Sequence, residues 1–546
     1  MRATNMKNTF SKTHLLLGLV LTIVLSVVPA AYAAAPGITG PTFNLTAQAA
    51  YISQPDGQAV YSWGYGCNGA PSGFAPAAIT ATFCNTMQVP GPTLIVNEGQ
   101  TVTVKLTNGL PASAGNTSIL FPGFTLTSTS GGVVGPLTQE AAPGGTVTYT
   151  FTASSPGTRA YYSGSQGDLQ IEMGLYGAII VLPASVPSAC TSGIAASNLV
   201  AETHWGEADF RLSQAAYDHP KTCYDREYLF QFSEMDPNIH KQAETQVAAI
   251  SSCVPSTTTT CPTSLNVATE PYHPSYFLIN GRSMPDDMDP NYATQYPHQP
   301  YNGDPHMHPG EMVLIRVIGQ GRWQHPFHEH GNHVRILARD GNLILTPDGA
   351  ALAGPLQFTT TTTPGLAFDG IFYWTAKGLN WDAYGHNPAS KDPSATLSCT
   401  PDANGYNTGA PTAINYYEWC QDHDKPLQVA PFGDVAGGGP TTLPDPNIFT
   451  NGPWFGGSPY LGPDATMRAT GCMNSSSSQS NSPDCGNTGV TPPSGTIANP
   501  PSSEAGFAFM WHSHNEREIT TNNIFPGGML MMMLVDSREF VIDETN

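Results

Sequence analysis

Glu98-Gly99-Gln100-Thr101-Val102-Thr103-Val104-Lys105-Leu106 reads as a tight turn that opens onto a strand. Polar and apolar residues alternate from Thr101 to Leu106, the period-two pattern of a strand with one face in a core and one in water. Downstream, Pro143-Gly144-Gly145 leads into Thr146 to Thr152, and Gly174-Leu175-Tyr176-Gly177 closes this half with the apolar strand Ala178 to Leu182. The order returns in the second half. There Pro309-Gly310-Glu311 opens Met312 to Ile318, Pro364-Gly365 precedes Phe368 to Trp374, and Gly527-Gly528 opens Met529 to Val535. A turn-and-strand order that occurs twice predicts two units of one all-β fold.

Composition points the same way. The chain has 55 Gly, 49 Pro and only 11% charged residues, which suits short strands joined by many turns, and long helical periodicity is hard to find. Its 546 residues exceed one sandwich, so two core domains with long loops are expected. Thr375 to about Ser503, rich in Pro, Gly, Asn and Ser, reads as a long loop-rich insertion in the second. The expected bounds are 40–185 for the first domain and 195–375 with 504–540 for the second, the insertion being 376–503.

Arg2, Lys7 and Lys12 precede an apolar run from Leu15 to Val28 and then Ala31-Tyr32-Ala33, the layout of a cleavable secretory signal over 1–33. A periplasmic or extracellular product follows, with no other stretch apolar enough to span a membrane. With 41 acidic against 20 basic residues, the chain carries −21, which disfavours nucleic acid and anionic membrane as partners and favours cations. Solubility outside the cell is the plainer use of that charge. Ten cysteines fall into neighbours, Cys67/Cys84, Cys190/Cys223, Cys253/Cys261, Cys399/Cys420 and Cys472/Cys485, an even count that suits disulfides in an oxidising compartment, although other pairings satisfy the count equally.

Four further stretches carry a resemblance. Val89-Pro90-Gly91-Pro92-Thr93-Leu94 with the following turn, Tyr276-Phe277-Leu278-Ile279-Asn280-Gly281-Arg282, His325-Pro326-Phe327-His328-Glu329-His330-Gly331 and Trp511-His512-Ser513-His514 together resemble the multicopper oxidases. The resemblance implies tandem cupredoxin-like Greek-key β-sandwiches. In that family a mononuclear copper on a Cys and two His takes electrons from substrate, and eight His in four HxH pairs hold a trinuclear cluster that reduces dioxygen. Imidazole suits copper, and i and i+2 on a strand share a face, so an HxH pair can serve one site.

Residue by residue, His328, His330, His512 and His514 match half of the cluster ligands, and His325 matches a histidine of the mononuclear site. Ser513 stands where the cysteine belongs and Glu518 where the second mononuclear histidine belongs. In the first half Leu120, Pro122, Tyr162 and Gly164 occupy the other four histidine places. A serine hydroxyl cannot replace a thiolate for electron transfer, so no blue centre is expected. The metal ligands expected are therefore His325, His328, His330, His512 and His514, holding one copper or a pair.

Other readings are plainer. His306, His308 and His333 are secondary candidates, as are His204, His219, His240, His273, His298, His386 and His423, since loop histidines are more often exposed polar residues. Met529, Met531, Met532 and Met533 alternate as core packing would, with copper(I) ligation the lesser reading. Glu516 and Glu518 read as solvated loop acids, and Asp168, Gln170 and Glu172 as residues that reshape the first-half pocket without metal. Two functions follow from this set. One is a copper-dependent oxidase without the mononuclear relay, its small reducing substrate and dioxygen meeting at one site. The other is a non-catalytic copper-binding or scaffold protein. A homo-oligomer suits either.

Overall fold

The computed structural model describes residues 35–77, 79, 84–190, 214–375, 400–409, 419, 458–460, 506–536 and 542. The expected leader and nearly all of the 376–503 insertion, with Cys399/Cys420, Cys472/Cys485, His204, His386 and His423, lie outside them.

The fold is all-β in its core. In Thr101–Asn108 the residues Val102, Val104 and Leu106 are buried, and in Thr146–Thr152 so are Val147, Tyr149 and Phe151, as alternation requires. Met312–Gly319, apart from Arg316, and Tyr276–Ile279 are apolar on both faces because both faces are covered.

Two sheets of five strands form the first half, ordered Gly157–Tyr162, Tyr176–Leu182, Leu94–Asn97, Gly37–Thr39, Phe74–Ala75 and Ala59–Cys67, Thr42–Ser53, Thr101–Asn108, Thr146–Thr152, Leu126–Ser130. The second half has a sheet centred on Arg226–Met235, Met312–Gly319 and Ala367–Tyr373, and another ordered His306–Met307, Leu530–Asp536, Gly506–Ser513, His325–Glu329, Thr359–Thr362.

Pairing repeats as the turn-and-strand order does. Thr101–Asn108 runs parallel to Thr42–Ser53 and antiparallel to Thr146–Thr152, while Met312–Gly319 runs parallel to Arg226–Met235 and antiparallel to Ala367–Tyr373. The closing strands match too: Tyr176–Leu182 and Leu530–Asp536 each take one parallel and one antiparallel neighbour.

The halves pack through Ala160, Ala178 and Ile180 against Leu229, Ile318 and Ala367. Beside this apolar seam Thr158 Oγ1 donates to Asp369 at 2.6 Å, and the fully buried Arg316 guanidinium pairs with both Glu227 and Asp369. Three of the neighbouring cysteine pairs are disulfides, Cys67–Cys84, Cys190–Cys223 and Cys253–Cys261.

One element departs from the sequence reading. Pro237–Ser252 is a helix of 16 residues. Asp236 caps it by accepting from Asn238 N at 2.9 Å, and Pro237 fits the first turn, where no amide partner is needed. Only Ile239, His240 and Ala243 are buried along it, which is why its apolar period is faint.

Candidate metal centre

The His325–Glu329 strand lies between Thr359–Thr362 and Gly506–Ser513, with His328 directly opposite His512. Phe327 and Trp511 turn into the core, so the even-numbered histidines turn outward. Gly331 has φ +100°, and a Cβ there would stand 2.9 Å from the Phe509 ring, so this turn after the histidines requires glycine.

Four of the five expected ligands come together on that outer face. One ligand atom each from His328, His330 and His512 lies within 4.8 Å of the others, the one such group of three among the described residues. His330 Nε2 and His512 Nε2 face each other at 3.3 Å. His514 is exposed, its ring 5.0 Å from that of His328 and 5.7 Å from that of His512.

Two of the rings, and the backbone of a third, are held from behind. His328 Nδ1 lies 2.8 Å from Thr359 Oγ1, His512 Nδ1 lies 2.7 Å from the Ser513 carbonyl, and Trp511 Nε1 donates to the His330 carbonyl at 2.9 Å. Hydrogen bonds on the far ring nitrogen are how metal-ligating imidazoles are oriented. Burial, with the neighbouring charges of His330, His512 and His514, pulls His328 down to about 4, and burial also lowers His512. Imidazoles with converging nitrogens are a donor set that fits a transition metal.

His325 does not join them. Three residues before His328, it points to the opposite, inner face, where it is fully buried between two carboxylates, Nε2 3.0 Å from Glu234 Oε2 and Nδ1 2.9 Å from Glu518 Oε2. Burial alone would lower its pKa, but hydrogen bonds and charge from Glu234 and Glu518 win and raise it to about 9. Glu518, expected in solvent, is buried, while Glu516 is exposed.

His306 and His308 are buried rather than exposed, His306 Nε2 lying 3.2 Å from Asp304 Oδ2. His240 is buried with Nδ1 2.6 Å from the Tyr61 carbonyl and Nε2 3.1 Å from that of Glu172. His219 and His298 contact the carbonyls of Gly349 and Met87, and His273 is exposed. The His333 ring lies 5.0 Å from that of Phe358. Met529, Met531 and Met533 are core residues, and Met532 lies on the other face.

The first-half positions are filled without imidazole. Leu120 and Tyr162 pair through their backbones, and a Cβ on Gly164 would stand 2.8 Å from Leu120 Cγ. Below them Gln170 Oε1 accepts from Thr117 and Ser163, Ser165 donates to Glu140 at 2.6 Å, and Asp168 accepts from Thr269.

Glu234 was not singled out in the sequence. Its signal was parity: it shares a strand face with Phe230 and Phe232, and a carboxylate on a core-facing position needs partners.

Residues 76–185 match the family model for multicopper oxidase. Laccase abr2 of Aspergillus fumigatus is 36% identical over 117 residues, 21% of this chain and 18% of that protein. Copper resistance protein A of Escherichia coli is 40% identical over 93 residues, 17% of this chain and 14% of its own length. The chain thus spans less than a fifth of the length of these relatives. Among solved structures, the blue copper oxidase from Nitrosomonas europaea aligns over 90% of this chain and 85% of its own, with 15% identity and a TM-score of 0.41. The family match falls on the half whose histidine places are filled by other residues, not on the half that carries the cluster.

Proposed function

We propose that this relative of the multicopper oxidases is an exported copper protein that holds one copper, or a pair, on His328, His330, His512 and His514. The observation that carries the reading is the convergence of three imidazole nitrogens within 4.8 Å on one sheet face. Copper bound there supplies one-electron chemistry and an open coordination position. The chain's own part is to fix the His328 and His512 rings through Thr359 and the Ser513 carbonyl, to anchor the His330 backbone through Trp511, and to leave the His514 side accessible. A small reducing substrate with dioxygen as acceptor fits a site reached directly from solvent. The exposed His514 also favours a second reading, a non-catalytic protein that takes up and passes on copper.

Metal content and electron paramagnetic resonance of the copper-loaded chain test this. The expected result is a signal of copper on nitrogen ligands without the intense copper–thiolate band, lost in His512→Ala. An intense thiolate band, or no bound copper, overturns it. Oxygen uptake with a reducing substrate separates the oxidase from the binder.

A further inference from the structure

The resemblance assigns a second copper to the interior, on the places of His325, Ser513 and Glu518, and the residues there do not fit it. Glu518 Oε2 is 2.9 Å from His325 Nδ1 and accepts from Ser513 Oγ at 2.5 Å, while Glu518 Oε1 accepts from Asn515 Nδ2 at 2.9 Å. On the far side of the ring, Glu234 Oε2 is 3.0 Å from Nε2. Glu234 Oε1 takes the backbone N–H of Arg322 at 2.7 Å and of Trp323 at 2.8 Å, with the Tyr272 hydroxyl 3.2 Å away. A Cβ on Gly321 would meet Glu234 Oε2 at 2.5 Å, so the backbone is shaped around this carboxylate.

Glu234, His325, Ser513 and Glu518 are all buried. The His325 ring's Nε2 hydrogen-bonds Glu234 and its Nδ1 makes a 2.9 Å ion-pair contact with Glu518, and a carboxylate against each nitrogen favours the cationic ring. A metal at this point would have to displace the proton on Nδ1 and break the Ser513–Glu518 bond. In return it would gain no thiolate, the ligand that selects copper at such sites.

We propose that Glu234, His325, Glu518 and Ser513 form a clasp, in which a histidinium between two carboxylates takes the interior copper's place and closes it to metals. The clasp joins strand Arg226–Met235 to the turn after Gly506–Ser513 through one ring, a cross-brace that a copper would otherwise provide. It does not depend on the outer histidines binding anything, so failure of the outer site leaves it standing.

Copper titration of the full chain and three variants decides it. His330→Ala with His512→Ala removes the outer site, and adding His325→Gln to that pair tests the interior. The clasp predicts no copper retained by the double variant and no further change in the triple. Copper that the double variant holds and the triple loses overturns it. Separately, Ser513→Cys with Glu518→His should place thiolate and imidazole beside His325 Nδ1, giving an intense copper–thiolate band that the parent chain lacks. A variant that keeps its circular dichroism yet shows no such band refutes the claim that these side chains surround one ligand position. If that variant does not fold, the first comparison stands by itself.

Discussion

His325 and His328 sit three residues apart on one strand and are driven in opposite directions, one up to about 9 and the other down to about 4. Both are buried, so the difference comes from neighbours: carboxylates on the inner face, imidazoles on the outer. For His325 the folded value lies above the unfolded one, so its contribution is complete below about pH 6.5 and is lost as pH rises through about 9. The stability difference between the parent chain and His325→Gln should therefore shrink by on the order of 3 kcal/mol between pH 6 and pH 10, read from urea unfolding at each pH. A pH-independent difference would mean the ring is neutral in the folded chain. A second prediction concerns Gly164, whose space is bounded by Leu120. Gly164→Ala should cost about 1–3 kcal/mol by overpacking. Leu120→Ala in the same chain should recover part of that, a coupling that a double-mutant cycle measures. The histidine cluster was legible from parity, since HxH spacing puts both rings on one face. The same parity, applied to His325, places it on the other face, and the resemblance had masked that. Glu234 was the harder residue, because its meaning comes from a partner 91 positions away.

Among the elements, strands were legible where one face met water and the other the core, as in Thr101–Asn108 and Thr146–Thr152. The repeated turns fixed their order, because a glycine at a tight turn is a local requirement that tertiary packing does not override. The helix Pro237–Ser252 was not legible by period, since it lays few side chains on the first-half core. Its start was marked by Asp236-Pro237, a cap followed by a proline. Asp236 also accepts from His273 N at 2.8 Å. Asp236→Ala should cost about 1–2 kcal/mol in thermal or urea unfolding, with Asp236→Asn costing less, because asparagine also caps. Equal losses would show that the charge, not the cap, is what matters.

For the whole molecule, the seam between halves combines apolar packing with a buried ionic set, and the latter carries the larger risk. Arg316 is the cation for Glu227 and Asp369, and Tyr217 donates to Asp369 at 2.5 Å. Arg316→Met leaves two buried carboxylates without it and should destabilise by about 3–5 kcal/mol, measured by urea unfolding. A loss under about 1 kcal/mol would show that water or a rearranged Arg159 serves instead. None of this seam was legible in advance, because it pairs residues that no motif links. Turn chemistry and strand parity are local, whereas a seam is made by distant side chains meeting.

The strands Gly506–Ser513 and Leu530–Asp536 are the centre of their sheet, between His325–Glu329 on one side and His306–Met307 on the other, yet they reach it from beyond the 376–503 stretch. The last part of the chain thus fills the middle of a sheet whose flanking strands come from residues far earlier. A polypeptide ending near Thr375 and a separate peptide from about Ser503 onward hold complementary edges of the same ladder. Mixed, they should reassemble and recover the circular dichroism of the parent chain, whereas fragments that stay apart would show that continuity through the intervening stretch is needed to close the ladder.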